Sequence, residues 1–166
     1  IGNAIATTLS LMANALTPIV SVIVGESGSE GALALSLADR VLMQQYAVFS
    51  PVSSQGSSGR FHRDEDKHKQ AAQALMLTAE ECSALGIVDA IVPEPEGGAH
   101  NDPLEASQIL QLVLAKELAT LCKSSVKKLV SSRHRRFRRM GELSDVAREA
   151  LGREIFLLEH MVAKDA

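Results

Sequence analysis

The pattern of apolar residues changes twice within the first 38 positions, and these changes predict a helix, a strand and a second helix. Over residues 1–16 the apolar positions recur at three- and four-residue steps, as on one face of an amphipathic helix. Thr17-Pro18 ends this helix, because proline lacks the N–H group that a helix interior uses. The β-branched run Ile19–Val24 is typical of a short buried strand. A glycine-rich turn then leads into a helix of small residues at 32–38.

Beyond residue 38 the pattern predicts short strands and helices, and then helices alone. Thr78 is a favourable N-cap for a helix over 79–85, with Glu81 at the capping-box spacing and Gly86 at its end. The other predicted elements are a strand pair at 40–44 and 47–49, a strand at 87–92, and helices at 65–75, 104–121, 123–140 and 143–163. An α/β first part and a helical tail predict a layered domain with a C-terminal helical arm.

Composition narrows the class of protein. The 166 residues, 46% of them hydrophobic, fit one domain with its own core. A net charge of −3 gives no field that would attract nucleic acid or an anionic membrane, and no apolar run approaches the roughly 20 residues of a membrane span. Two cysteines cannot form a disulfide framework. We therefore expect a soluble intracellular protein, and the initial Ile1 suggests a processed product, a fragment or part of something longer.

The turn from Gly25 to Gly31 is the sharpest local signal for chemistry. Glycines at a helix N-terminus let backbone N–H groups point at an anion, and the helix dipole adds a favourable potential. A phosphate or a developing enolate oxygen would fit there. An ordinary strand-to-helix turn is the alternative, since every helix N-terminus leaves unpaired donors. Neither a Walker loop nor the Rossmann glycine spacing is present.

Other polar segments carry weaker signals. The stretch Ser53–Gly59, which contains Gly56, predicts either a second anion cradle or a surface loop. The five histidines share no metal-ligand spacing with the cysteines, so we expect no metal site. Residues 127–139 hold five arginines and two lysines with Phe137 as the one aromatic residue. They favour a solvated helix, or one docked on an acidic partner or on a nucleotide's phosphates, over a nucleic-acid interface.

Read in order, these segments resemble the α subunit of the bacterial- and plastid-type acetyl-CoA carboxylase carboxyltransferase. The stretch from Val24 to Ala34, V-G-E-S-G-S-E-G-A-L-A, is similar to the family's I-G-E-G-G-S-G-G-A-L-A. Further similar segments follow in family order without a gap up to about residue 141: D-R-V-L-M at 39–43, L-T-A-E-E at 77–81, L-G-I-V-D at 85–89, I-V-P-E-P at 91–95, G-G-A-H at 97–100 and R-R-F-R at 135–138.

The resemblance implies a crotonase-like (ClpP-like) ββα spiral, of which residues 1–103 would form the C-terminal part and 104–166 a helical arm. It implies transfer of a carboxyl group from carboxybiotin, held on a separate biotin carboxyl carrier protein, to acetyl-CoA, which yields malonyl-CoA for fatty acid biosynthesis. Glu30 and Gly31 stand where the family has its pair of backbone donors, and Gly28, Ser29 and Gly56 would bind the cofactor. Expected partners are the carboxyltransferase β subunit, the carrier protein and a chain or segment that supplies the N-terminal half, in the bacterial cytoplasm or the plastid stroma.

Three departures from the family pattern keep other functions open. Ser27 and Glu30 replace family glycines, and S-S-Q-G at 53–56 replaces S-P-E-G. A Glu30 carboxylate close to an oxyanion would repel it. The alternative is therefore a catalytically degenerate homologue that serves as a structural or assembly subunit. A hydratase or thioesterase of the wider crotonase superfamily is a third interpretation, with Glu30 as the one well-placed carboxylate.

Overall fold

The computed structural model describes residues 2–50 and 78–140, and these ranges form helices and short parallel strands. In chain order the elements are α1 (Gly2–Asn14), β1 (Val20–Ile23), β2 (Glu26–Gly28), α2 (Ser29–Leu35), β3 (Arg40–Gln44), β4 (Val48–Ser50), α3 (Ala79–Ala84), β5 (Ala90–Val92), α4 (Pro103–Leu121) and α5 (Val126–Arg139). The α/β class predicted from the sequence is confirmed. The predicted helices at 65–75 and 143–163, and the Ser53–Gly59 stretch with Gly56, lie outside the described residues.

Two parallel sheets organise these strands. The first has the order β1-β3-β5, with Val22 opposite Leu42 and Leu42 opposite Ala90. In the second, β2 pairs with β4. The strands predicted at 40–44 and 47–49 exist, but they do not pair with each other. The central position of β3 accounts for this, because four of its five residues are buried and both of its edges are occupied by β1 and β5.

Capping residues account for the helix boundaries. The Thr78 hydroxyl accepts a hydrogen bond from the Glu81 N–H at 3.3 Å, and the Glu81 carboxylate accepts one from the Thr78 N–H at 3.0 Å. This is the predicted capping box. Asp102 caps α4 in front of Pro103, and Ser125 caps α5. Helix α5 therefore begins at Val126 rather than at residue 123, after the predicted break near Cys122.

The core lies between β3 and the elements that flank it. Val41, Leu42 and Met43 are fully buried, and Cys82 of α3 and Val92 of β5 pack nearby. Apolar side chains of α1 and α2 remain outside: Leu11 is 68% exposed and Leu35 is 64% exposed. No residue of α1 is buried.

The C-terminal helices pack against the α/β part. Helix α4 contacts β1 and β5, and α5 contacts α1. The division at residue 103 into a carboxyltransferase segment and a helical arm stays a prediction. Among the helices of residues 2–50 and 78–140, none combines the length and the apolar character that crossing a bilayer requires.

Candidate oxyanion site

The glycine-rich turn has the predicted order of strand, turn and helix. Strand β1 ends at Ile23, Gly25 adopts a positive φ of 62°, and Gly28 is the extended N-cap of α2. Glu30 and Gly31 therefore lie in the first turn of α2, where backbone N–H groups have no acceptor within the helix. The short strand β2 inside the turn was not predicted. It pairs Glu26–Gly28 with β4. Because α2 begins directly after β2, this pairing fixes the position of the first turn of α2.

Two features of the backbone distinguish this turn from an ordinary one. Ser29 has a φ of 68°, a conformation that costs an L-residue roughly 1–2 kcal/mol. Such strain is concentrated at functional sites in proteins. A Cβ atom built on Gly31 would meet its first neighbour, the Ser29 Oγ, at 4.0 Å. Among residues 2–50 and 78–140, none comes closer than this to a side chain at that position.

The Glu30 side chain is exposed at the start of α2. A carboxylate there stabilises the helix through its dipole. The same charge competes with any anion that approaches the N–H groups of the first turn. The residue thus retains the donor that the resemblance implies and adds a charge that the family glycine lacks.

A second loop lies at the same edge of the first sheet. Because β1, β3 and β5 are parallel, the residues that follow them share the carboxyl edge, where α/β proteins bind ligands. The Glu94 carboxylate accepts hydrogen bonds from the N–H groups of Tyr46, at 3.0 Å, and Ala99, at 2.7 Å. Gly97 and Gly98 both have positive φ values, of 80° and 109°. These glycines are part of the sequence motif G-G-A-H, but nothing in the sequence pattern indicated that Glu94 anchors their loop to the end of β3.

The basic helix α5 does not present all its cations to solvent. The Arg133 side chain is fully buried and binds the Asp39 carboxylate through two nitrogens, Nε at 3.0 Å and Nη2 at 2.6 Å. It also donates to carbonyl oxygens at the C-terminal end of α1, among them Met12 at 2.7 Å and Ala15 at 2.9 Å. A cation at a helix C-terminus offsets the helix dipole.

Arg136 forms a second internal contact one turn further along α5. It lies 3.0 Å from the Asp89 carboxylate and donates to the carbonyl oxygens of Ala38 and Ile87. Burial lowers the pKa of Arg136, while Asp89 acts in the opposite direction. The interpretation of 127–139 as a solvated helix is therefore wrong for these two arginines, because both pair with carboxylates of the same chain. Arg133 and Asp39 are 94 residues apart in the sequence, and Arg136 is 49 residues from Ile87. No local sequence pattern identifies contacts over such separations.

The described residues contain neither a cluster of metal ligands nor, at Cys82, a thiol that is ionised at neutral pH. Within residues 2–50 and 78–140, no group of three His, Cys, Asp or Glu side chains could hold a metal ion. Burial, with a smaller contribution from Glu81, raises the pKa of Cys82 to about 11. Near neutral pH this thiol is protonated and therefore a poor nucleophile.

The family model and the curated relatives that this chain matches carry the name of acetyl-CoA carboxylase carboxyltransferase. The family described as acetyl co-enzyme A carboxylase carboxyltransferase-like matches residues 1–141. An acetyl-coenzyme A carboxylase carboxyl transferase subunit alpha from Heliobacterium modesticaldum is 44% identical over 138 residues, which are 83% of this chain and 41% of that protein. A chain named subunits beta/alpha from Salinispora tropica is 47% identical over 125 residues, 75% of this chain and 22% of that protein. The chain thus spans less than half the length of these relatives.

Among solved structures, a Pseudomonas malonate decarboxylase hetero-tetramer in complex with coenzyme A has a TM-score of 0.61 at 18% identity. The likeness covers 97% of this chain and 60% of that one. A methylmalonyl CoA decarboxylase, with a TM-score of 0.50 at 15% identity, has a similar fold. These similarities confirm the predicted crotonase-like fold.

Proposed function

Because this chain belongs to the acetyl-CoA carboxylase carboxyltransferase family, we propose that it forms part of a carboxyltransferase α subunit that produces malonyl-CoA. The reaction forms a bond between the methyl carbon of acetyl-CoA and the carboxyl carbon of carboxybiotin, and it breaks the bond between that carbon and the biotin nitrogen. The methyl group gives up one proton, and the biotin nitrogen keeps the electron pair of the broken bond and takes up one proton. The substrates are acetyl-CoA and carboxybiotin on a separate carrier. The observation that carries the proposal is the placement of the Glu30 and Gly31 N–H groups in the first turn of α2, where both residues are exposed.

The proposed role of these residues is electrostatic. Removal of a proton from the methyl group of acetyl-CoA, and release of biotin, each build negative charge on an oxygen. Fixed backbone donors stabilise such charge in the transition state, and loss of one donor typically lowers the rate by about 10²–10³. In our proposal Glu30 and Gly31 supply the donors, while Gly28, Ser29 and Gly56 contact the biotin side. The strain at Ser29 supports a functional turn, since the fold would otherwise gain by relaxing it.

We also propose that the chain acts within an assembly. The relative from Salinispora tropica is named for both β and α subunits, which supports a β-subunit partner. Leu11 of α1 and Leu33 and Leu35 of α2 are exposed, and so is Leu16, which follows α1. These leucines support burial of this surface against a β subunit or a segment that supplies the remainder of the spiral. A biotin carboxyl carrier protein is the third proposed component. We place the reaction in the bacterial cytoplasm or the plastid stroma.

Reconstitution tests this function directly. The proteins that co-purify with the chain are identified, and malonyl-CoA formation is measured with and without the chain. We expect formation to depend on the chain. If the assembly becomes active only when the Heliobacterium α subunit replaces the chain, the degenerate structural role is correct and the proposed activity is wrong.

A further inference from the structure

A cleft of about 790 Å³ lies at the edge of the first sheet that is opposite to the glycine-rich turn. Arg40, the first residue of β3, lines it, and so does Asp89, which directly precedes β5. These residues mark the amino edge of the parallel strands, whereas the turn follows the carboxyl end of β1. The cleft is therefore separate from the candidate oxyanion site. Its volume falls within the roughly 300–1,000 Å³ of small-molecule pockets.

The lining of this cleft carries more positive than negative charge. Its two acidic residues are already paired: Asp39 with Arg133 at 2.6 Å, and Asp89 with Arg136 at 3.0 Å. Three further cationic residues line the cleft, namely Arg40, Lys128 and Arg139. Arg40 is itself paired, with Asp89 at 3.3 Å and with Glu117, which does not line the cleft, at 3.2 Å. The chain as a whole has a net charge of −3, so this local excess of cations runs against its overall balance.

Lys128 is the cation of the cleft that is best placed to receive a ligand. Its side chain is exposed and forms no ion pair with any residue in the described parts of the chain. One turn further along α5, Ser132 lines the same cleft and adds a hydroxyl donor. The C-terminal end of α4 and the N-terminal end of α5 meet at this cleft. Because these two helix ends carry partial charges of opposite sign, they offset each other. The electrostatic potential in the cleft therefore depends on the charged side chains that line it.

Apolar side chains complete the cleft. Leu85 follows α3, Leu121 ends α4, and Leu129 lies on α5 next to Lys128. A cation and hydroxyl groups suit phosphate oxygens, and an apolar wall suits the face of a flat ring. A ligand that satisfies both has phosphate groups at one end and an aromatic ring at the other.

We propose that this cleft binds a nucleoside diphosphate, with its phosphates on Lys128 and its base against the leucines. Lys127 provides a matched control, because it is the exposed neighbour on α5 that does not line the cleft. Calorimetric titration of the assembly that contains the full chain uses ADP, pyrophosphate and adenosine at one ionic strength. We expect ADP to bind most tightly. We expect Lys128→Glu to weaken ADP binding by about tenfold, and Lys127→Glu by less than about twofold, although both change the net charge equally.

Three outcomes would overturn the proposal. Absence of saturable ADP binding to the unsubstituted assembly removes the site. Equal weakening by Lys127→Glu and Lys128→Glu means that ADP responds to the general field of α5 and not to the cleft. Binding of pyrophosphate as tightly as ADP removes the role of the leucines as a wall for the base. Thermal unfolding of both variants shows that the comparison is made between folded proteins.

Discussion

Removal of the Glu30 side chain is the sharpest test of the backbone-donor mechanism. Glu30 contributes an N–H group at the start of α2, and its exposed carboxylate is a charge that the mechanism does not use. Glu30→Gly keeps the N–H and removes the charge and the Cβ. We expect malonyl-CoA formation by the reconstituted assembly to stay unchanged or to rise.

The size of the effect depends on how close the carboxylate comes to the oxyanion. Two unit charges about 4 Å apart repel by about 1 kcal/mol in water and by about 4 kcal/mol at an effective dielectric of about 20. These energies correspond to rate changes of about fivefold and about a thousandfold. Because Glu30 is exposed in this structure, a gain near the lower value is expected unless a partner covers the turn. Loss of the favourable charge–dipole interaction and the introduction of glycine should lower the stability of α2 by about 1 kcal/mol.

Two further substitutions separate charge from backbone freedom. Glu30→Gln removes the charge and keeps the Cβ, so a gain in both variants assigns the effect to charge. A gain in Glu30→Gly alone assigns it to the backbone. Glu26→Gln, in the adjacent strand β2, serves as the control for a change of net charge near the turn. A large loss of rate in both Glu30 variants would mean that this carboxylate takes part in the chemistry, and the backbone-only mechanism would then be wrong.

Three other predictions concern stability, each measured by denaturant unfolding of the full chain in its assembly. Arg133→Met leaves the buried Asp39 carboxylate without its cation and should cost about 3–5 kcal/mol. Gly97→Ala should cost about 1–3 kcal/mol, because φ is 80° and the new Cβ would collide with the Asn101 side-chain nitrogen. The raised pKa of Cys82 means that the folded state holds a proton that the unfolded state loses between pH 9 and about 11, so stability should fall as the pH rises through that window.

Each of these predictions has a matched control. Arg135→Met changes an exposed arginine of the same helix and should cost less than about 1 kcal/mol. Gly31→Ala places a Cβ in open space, so it should cost less than Gly97→Ala. Cys82→Ala should flatten the pH dependence between 9 and 11. If a variant and its control change the free energy of unfolding equally, the structural reason given for that variant is wrong.

Local sequence determined the elements and the strand-turn-helix. The spacing of apolar residues predicted α1, because a period near 3.6 residues arises from the geometry of the helix itself. The short β-branched run at 19–24 predicted β1 by its length and composition. Thr78 and Glu81 predicted the start of α3 because a capping box involves residues only three positions apart. The glycine-rich turn and the G-G-A-H motif identified the family from residues that are close together in the chain.

Tertiary structure decided which of these residues meet. The sequence placed Arg133 and Arg136 in one basic helix with Arg135 and Arg138. Only the packing of α5 on α1, and on the residues that precede β3 and β5, divides them into internally paired and exposed cations. It likewise separated β4 from β3 and paired it with β2. The physical reason is that caps and periodicity depend on neighbours within one or two turns. A buried ion pair such as Arg133–Asp39 joins positions 94 residues apart, and its stability depends on which elements exclude water from it.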